Sequence, residues 1–339
     1  MEPSSQPAAT GEPLVSIVIA THNRPAALRQ ALRSVIGQTI GDWEAIVVGD
    51  ACRPDTEAVV AAFGDARISY IDLPVNFGEQ SGPNNIGFAR ARGRFVAILN
   101  HDDLWFPDHL AATTGWADAT GADVVIARGV IVHAKYKTGG AKNAIFGYGK
   151  DGFYDPVLTT GFGSAQVVRR ESLRWLGPWR PASQCYCESS QDWLFRAWRR
   201  GAIIATLPHV TVLALHSGGR KESYLHDSAL EQEEFVRAMD APDALRAKLL
   251  TETLEPRSLR PLRYFKRRLL AAVFGVHPRA REFRRKHARG GFVAQLREIR
   301  GLAPMPEREP DLGQMLSRYQ AASEDRKLID GIADTSIRK

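Results

Sequence analysis

Asn100-His101-Asp102-Asp103, within the run RFVAILNHDDLWFPDHL, places two carboxylates, an amide and an imidazole at the end of an apolar stretch. Hard oxygen ligands of this kind suit Mg²⁺ or Mn²⁺ bridged to a diphosphate, because one or two carboxylates plus phosphate oxygens complete an octahedron. The same aspartates equally suit a polar loop that caps the next helix. The elements around them favour the ligand reading. Phe95, Val96, Ala97, Ile98 and Leu99 read as a buried strand, and Pro107 suits the first turn of a helix. The cluster therefore falls at a strand's C-terminal end, where open α/β sheets bind ligands.

From Pro13 to about residue 132 strand and helix patterns alternate. LVSIVIA (14–20) is a buried strand, and Leu28, Leu32, Val35 and Ile36 then recur at helical spacing after Pro25. Strands follow over Glu44–Val48, Ile68–Leu73 and Phe95–Leu99, with helices over Asp55–Phe63 and Ser81–Arg92. Crossovers of this length require parallel strands with helices on both faces, so the fold class is α/β with a doubly wound nucleotide-binding sheet. Beyond residue 132 the expectations are a loop over the crevice (133–156), a strand (165–170), a short helix (171–177), a helix (191–201) and two strands within 203–215. The chain divides into a flexible tail (1–12), the α/β domain (13–222), a basic helical extension (223–303) and a polar C-terminal tail (304–339).

Two further strand ends carry polar residues: Ala20-Thr21-His22-Asn23-Arg24-Pro25 after the first and Gly49-Asp50-Ala51-Cys52 after the second. Together with Asn100–Asp103 and with Asn85-Ile86-Gly87 they resemble the signatures of the family 2 glycosyltransferases of GT-A fold, over about residues 14–220. The resemblance implies that Ala20, Thr21 and Asn23 frame a nucleotide, Asp50 faces its base, Asn100 or His101 lies near the ribose and diphosphate, and Asp102 holds Mn²⁺ or Mg²⁺. Asn84, where an arginine is common, joins the nucleotide-sugar set. Gly49 and Asn100 also depart from the family's usual aspartates. Asn100 keeps the capacity to hydrogen-bond a ribose hydroxyl but offers a metal only a neutral oxygen.

The same resemblance implies a catalytic base at Asp192, in ESSQDW, with Glu188 in reserve. A carboxylate near the donor C1 takes the acceptor proton as the hydroxyl attacks, and one such base implies inversion. Alternatively Asp192 complements a helix N-terminus. His216 is implied near the metal, with Arg220 and Lys221 beside the diphosphate; a His at a strand end also serves structure alone. The expected activity is metal-dependent transfer of a sugar from a nucleoside diphosphate to a hydroxyl acceptor in cell-surface glycan or glycoconjugate synthesis. A sugar nucleotidyltransferase should carry a Gly-rich phosphate loop after the first strand, and ATHNRP offers none. A degenerate nucleotide-sugar-binding protein is the other alternative.

Composition bounds the remainder. The 339 residues are 44% apolar, ample for a packed core, and the polar N-terminus lacks signal-peptide character, so a cytoplasmic location is expected. Three cysteines without a second ligand pair argue for reduced thiols rather than zinc. Residues 256–300 hold fourteen Lys/Arg against two Glu, a charge of +12, so the rest of a chain totalling +7 is net −5. Leu262, Phe265, Leu269, Val273 and Val276 interleave there with Arg263, Lys266, Arg267 and Arg268 at near-helical spacing. Such a helix either lies on an anionic membrane, peripheral at its inner face, or packs its apolar side on the core. No recognition motif accompanies the charge, which argues against nucleic acid.

Overall fold

The computed structural model describes residues 11–132, 143–215, 220–254, 261–306 and 310–319. His216 and the stretch 133–142 lie outside these residues.

Val15, Ile17, Val18 and Ile19 are fully buried because strand β1 (Val15–Thr21) runs through the middle of a sheet covered on both faces. Helix α1 (Pro25–Ile36) follows with Pro25 in its first turn and Leu28, Leu32 and Val35 turned inward. Then β2 (Trp43–Gly49), α2 (Pro54–Ala61), β3 (Ile68–Asp72), α3 (Ser81–Arg90) and β4 (Phe95–Ile98) repeat the unit. β1 pairs in parallel with β2 and β4, and β2 with β3, so these four strands end at one edge of the sheet. α3 packs closely on β1. A Cβ at Gly87 would lie 2.2 Å from Val18 Cγ1, so only glycine permits this approach.

After β5 (Leu104–Trp105) and α4 (His109–Thr120), strands β6 (Val124–Ile131), β7 (Asn143–Phe146) and β8 (Gln166–Arg169) make the sheet mixed. β8 lies antiparallel between β4 and β6, and β7 is antiparallel to β6. The parallel, doubly wound expectation therefore describes the first four strands. The stretch read as a loop over 133–156 contains β7, whose Asn143 and Phe146 are buried against the sheet. Next come α5 (Leu173–Leu176), α6 (Ser189–Arg199) and β9 (Ile204–Ala214). β9 is one strand where two were expected. Pro208 and His209 interrupt the apolar pattern, but they sit in a bulge against Ala127 and Arg128, where no ladder partner is needed. β9 runs parallel to β6 and holds β5 on its other side.

The C-terminal segment comprises α7 (Leu230–Ala238), α8 (Pro242–Thr251), β10 (Thr253–Leu254), α9 (Pro261–Phe274), α10 (Pro278–Phe283), α11 (Gly291–Arg300) and α12 (Leu312–Tyr319). Leu245 and Leu249 of α8 share a cluster with Leu104, Phe106 and Leu213, so this segment completes the core of the sheet. Within the stretch expected as a polar tail from 304, the described residues include a docked helix. α12 docks on α3 with Met315 and Leu316 buried in the main core. Among the described residues no helix is long and apolar enough to cross a membrane.

Candidate active site

The three polar strand ends converge on one cleft of about 210 Å³. Of the expected residues, Ala20, Thr21, Asp50, Asn100, His101, Asp102 and Glu188 line it; Asn23, Asn84, Asp192, Arg220 and Lys221 do not.

At the ends of β1 and β2 the backbone is tightly turned, with Asn23 and Ala51 both at positive φ (47° and 54°). Asn23 braces the turn by accepting a hydrogen bond from the Arg53 backbone N–H at 2.8 Å. His22 Nδ1 and Asn76 Nδ2 both meet the carbonyl oxygen of Asp50, at 2.8 and 2.9 Å. The Asp50 carboxylate accepts from the backbone N–H groups of Phe77 (2.6 Å) and Gly78 (3.0 Å). Burial nevertheless pushes this carboxyl up to about 7, against the two amides and Arg297, which favour its charged form. Gly49 has a structural reason: a Cβ there would meet Asp72 Oδ1 and Tyr70 Oη at 2.4 Å. The Asp72 carboxylate fills that space and accepts from the Cys52 N–H at 3.0 Å.

At the end of β4 the two aspartates separate. Asp103 is buried and turned back into the fold, accepting from Ser164 Oγ (2.5 Å), Asn100 Nδ2 (2.9 Å) and the Leu215 N–H (3.2 Å). It ties the end of β4 to that of β9. Its neighbour Asp102 is half-buried and faces the cleft. The engagement of Asn100 with Asp103 explains an amide at that position, since a third carboxylate beside Asp103 would repel it. His101 is buried with Nε2 3.4 Å from Tyr224 Oη, and burial brings its imidazole down to about 4, so it is neutral at physiological pH.

Glu188 stands just before α6 with extended ψ (139°), and its side chain lines the cleft. One oxygen lies 3.6 Å from Arg279 Nη1, and Oε2 is buried without a hydrogen-bond partner among the described residues. Asp192 sits one turn later and is committed elsewhere. Its Oδ2 accepts from Arg196 Nε at 2.8 Å, an i,i+4 pair along the helix surface. The expected base is therefore displaced from the cleft, and the reserve residue occupies it.

Arg220 is drawn to Glu231, and Lys221 is largely exposed, 3.5 Å from Glu222, so neither reaches the cleft. Asn84 is buried in α3, its side-chain amide without a partner among the described residues. Next to it Asn85 holds both backbone groups of Trp179, donating to its carbonyl and accepting from its N–H at 2.9 Å each. Trp105, Trp179 and Trp193 are buried in the core. Cys52, Cys185 and Cys187 are free thiols.

Sequence reasoning missed the roof. Val293, Leu296, Arg297 and Arg300 of α11, with Leu302 and Tyr224, close the cleft from the C-terminal segment. Arg297 donates to the Gly78 carbonyl and, at 2.9 Å, to that of Ala303. Arg300 and Arg24 flank the Tyr224 ring at 5.9 and 5.2 Å. Glu79 also lines the cleft; it accepts from the Ser81 N–H at 2.9 Å, and burial pushes its carboxyl up to about 7. Only the basic charge of 256–300 hinted at Arg297 and Arg300.

The sequence profile described as Glycosyl transferase family 2 matches residues 16–177. The succinoglycan biosynthesis protein ExoO of Rhizobium meliloti is 37% identical over 120 residues, which cover 35% of this chain and 34% of that protein. A UDP-Glc:alpha-D-GlcNAc-diphosphoundecaprenol beta-1,3-glucosyltransferase, WfgD of Escherichia coli, is 33% identical over 97 residues, 29% of this chain and 38% of that one. The chain thus spans about a third of the length of the curated relatives it matches. Among solved structures, S. aureus TarS 1-349 in complex with UDP-GlcNAc superposes with a TM-score of 0.53 at 15% identity, covering 94% of this chain and 88% of that one. That likeness extends through the C-terminal helices and concerns the fold. The sheet is that of a GT-A fold, and residues 16–177 match the sequence profile of glycosyl transferase family 2.

Proposed function

We propose that this protein is an inverting glycosyltransferase that moves a sugar from a nucleoside diphosphate to a hydroxyl acceptor in surface polysaccharide synthesis, with Glu188 as its base. The observation that carries the reading is the meeting of Thr21, Asp50, Asp102 and Glu188, from four distant stretches, around one cleft. The relatives named for succinoglycan synthesis and for glucosyl transfer to a diphosphoundecaprenol acceptor support this class of product.

Asp50 and the ends of β1 and β2 hold the nucleotide. Arg300 faces the diphosphate, where a fixed guanidinium stabilises charge that grows as the C1–O bond breaks. Glu188, with an unpartnered oxygen, takes the acceptor proton as the hydroxyl oxygen bonds to C1 from the opposite side. Neutral His101 orients polar groups without adding charge. Among the described residues no three His, Cys, Asp or Glu side chains gather as a metal cage. Asp102, a single cleft-facing carboxylate, would hold Mn²⁺ or Mg²⁺, and such an ion would neutralise leaving-group charge.

The test is a thermal-shift panel of nucleotide sugars with and without Mn²⁺, followed by transfer assays with the stabilising donor. A bound donor at ~100 times its dissociation constant adds about 2.7 kcal/mol. Asp102→Asn should lose the Mn²⁺-dependent part of that stabilisation and keep the metal-independent part. Absence of stabilisation by every nucleotide sugar would remove the proposal.

A further inference from the structure

Helix α9 presents its apolar residues to solvent. Its core contacts are made by the side that carries Tyr264, Arg268 and Ala271. Tyr264 Oη donates to Asp155 Oδ2 at 2.6 Å, Arg268 pairs with the same buried carboxylate and lies over Trp198, and Ala271 is fully buried. Leu262, Phe265, Leu269 and Val273 recur at spacings of three and four residues on another side, and are 52–88% exposed. The alternative in which the apolar side packs on the core is therefore excluded for these four residues.

Between the stripe and the core-facing side runs a hollow of about 740 Å³. Arg263, Lys266 and Arg267 of α9 line one wall, and Arg281, Arg284 and Arg285 from α10 and the residues after it line the other. Glu282 is the one acid among its lining residues. An apolar stripe beside a strongly basic groove matches an interface with acyl chains below and phosphate groups above, and a patch of exposed large apolar residues marks an interaction surface. A nucleic acid would use the groove and leave the stripe in water.

We infer that α9 and the α9/α10 groove form a docking surface for an anionic phospholipid bilayer. The four apolar side chains enter the acyl boundary, the groove receives lipid phosphates, and the helix lies in the plane of the surface. Helix α10, which supplies one wall of the groove, also touches a residue of the cleft. Arg279, in the first turn of α10, reaches Thr160 Oγ1 at 2.9 Å and Glu188 Oε1 at 3.6 Å. Docking through α10 holds Glu188 near the membrane surface, which, resting on the proposed function, deepens it by selecting an acceptor carried by a lipid. The binding itself is independent of activity.

The experiment is sedimentation of the full chain with vesicles of phosphatidylglycerol and phosphatidylcholine, or of phosphatidylcholine alone. Wild type should pellet with the anionic vesicles and release as salt rises from about 0.05 to about 0.5 M. Arg263→Gln/Lys266→Gln/Arg267→Gln should weaken binding by roughly a hundredfold, about fivefold per charge. Phe265→Ser/Val273→Ser should lose vesicle binding while its thermal melting, like that of the charge variant, stays at the wild-type position. Wild-type protein that stays in the supernatant, binds neutral vesicles equally or ignores salt overturns the inference. So does vesicle binding unchanged by the Phe265→Ser/Val273→Ser pair, or a mobility shift with RNA in place of pelleting. A variant that misfolds leaves the wild-type salt and lipid series to decide.

Discussion

Glu188→Gln preserves shape and removes the ability to take a proton, so its effects on stability and on rate can be separated. The lost pairing with Arg279 is a 3.6 Å contact between side chains 24% and 34% exposed, which contributes at most about 1 kcal/mol. Thermal melting should therefore move by no more than about 3 °C. Loss of a positioned general base lowers kcat by ~10²–10⁴-fold, or about 2.7–5.5 kcal/mol in the barrier. Asp192→Asn is the control. It removes the 2.8 Å pair with Arg196, worth about 0.5–1 kcal/mol of stability for partly exposed partners, and should leave kcat within about threefold. The assay is the initial rate of nucleotide release at saturating donor and Mn²⁺, with and without acceptor, and with KM for donor measured in parallel. Glu188→Gln should lower kcat and leave donor KM unchanged. If Asp192→Asn loses two orders of magnitude and Glu188→Gln keeps more than half of its rate, the assignment of the base is wrong.

Asp50 titrates near 7 in the fold and at its ordinary 3.8 when unfolded, so its contribution is full at low pH and declines as pH rises from about 4 to about 7. Between pH 5 and 8 wild type should lose about 2.7 kcal/mol from this group that Asp50→Asn does not lose; parallel melting curves of the two across that range would refute the shift. Arg300→Gln, which removes a guanidinium facing the cleft, should weaken binding of the nucleoside diphosphate whose sugar stabilises the wild type by about 10- to 100-fold in calorimetry, and unchanged affinity would take Arg300 out of the proposed donor site. Asn85→Ala strands the N–H and carbonyl of Trp179 in the core and should cost about 2–4 kcal/mol in urea unfolding, without any change in the m-value. A loss below about 1 kcal/mol would mean that water replaces the amide.

What was legible in the sequence is local. Strands β1, β2 and β4 announce themselves because a strand buried on both faces must be largely apolar, and their polar ends follow directly in the chain. The strand pattern therefore places Ala20, Thr21, Asp50, Asn100, His101 and Asp102 at strand ends, and the family resemblance implies their common site, where they line one cleft. Antiparallel β8 was readable as a strand but not in its direction, which depends on where the chain re-enters the sheet.

Tertiary structure decided the groups whose roles depend on partners far along the chain. Glu188 and Asp192 are both carboxylates within one short motif, and only the reach of Arg196 and the course of the backbone before α6 send one to the helix surface and the other to the cleft. Arg297 lies 219 residues from the Gly78 carbonyl it holds, and Tyr224 123 from His101, separations that leave no periodic trace. The amphipathic pattern of α9 fixed which residues share a side, because that follows from 3.6 residues per turn. It could not fix which side faces water. That was settled by Asp155, a buried carboxylate that requires cationic and hydrogen-bonding partners and so draws Tyr264 and Arg268 inward, leaving the leucines and phenylalanine outside.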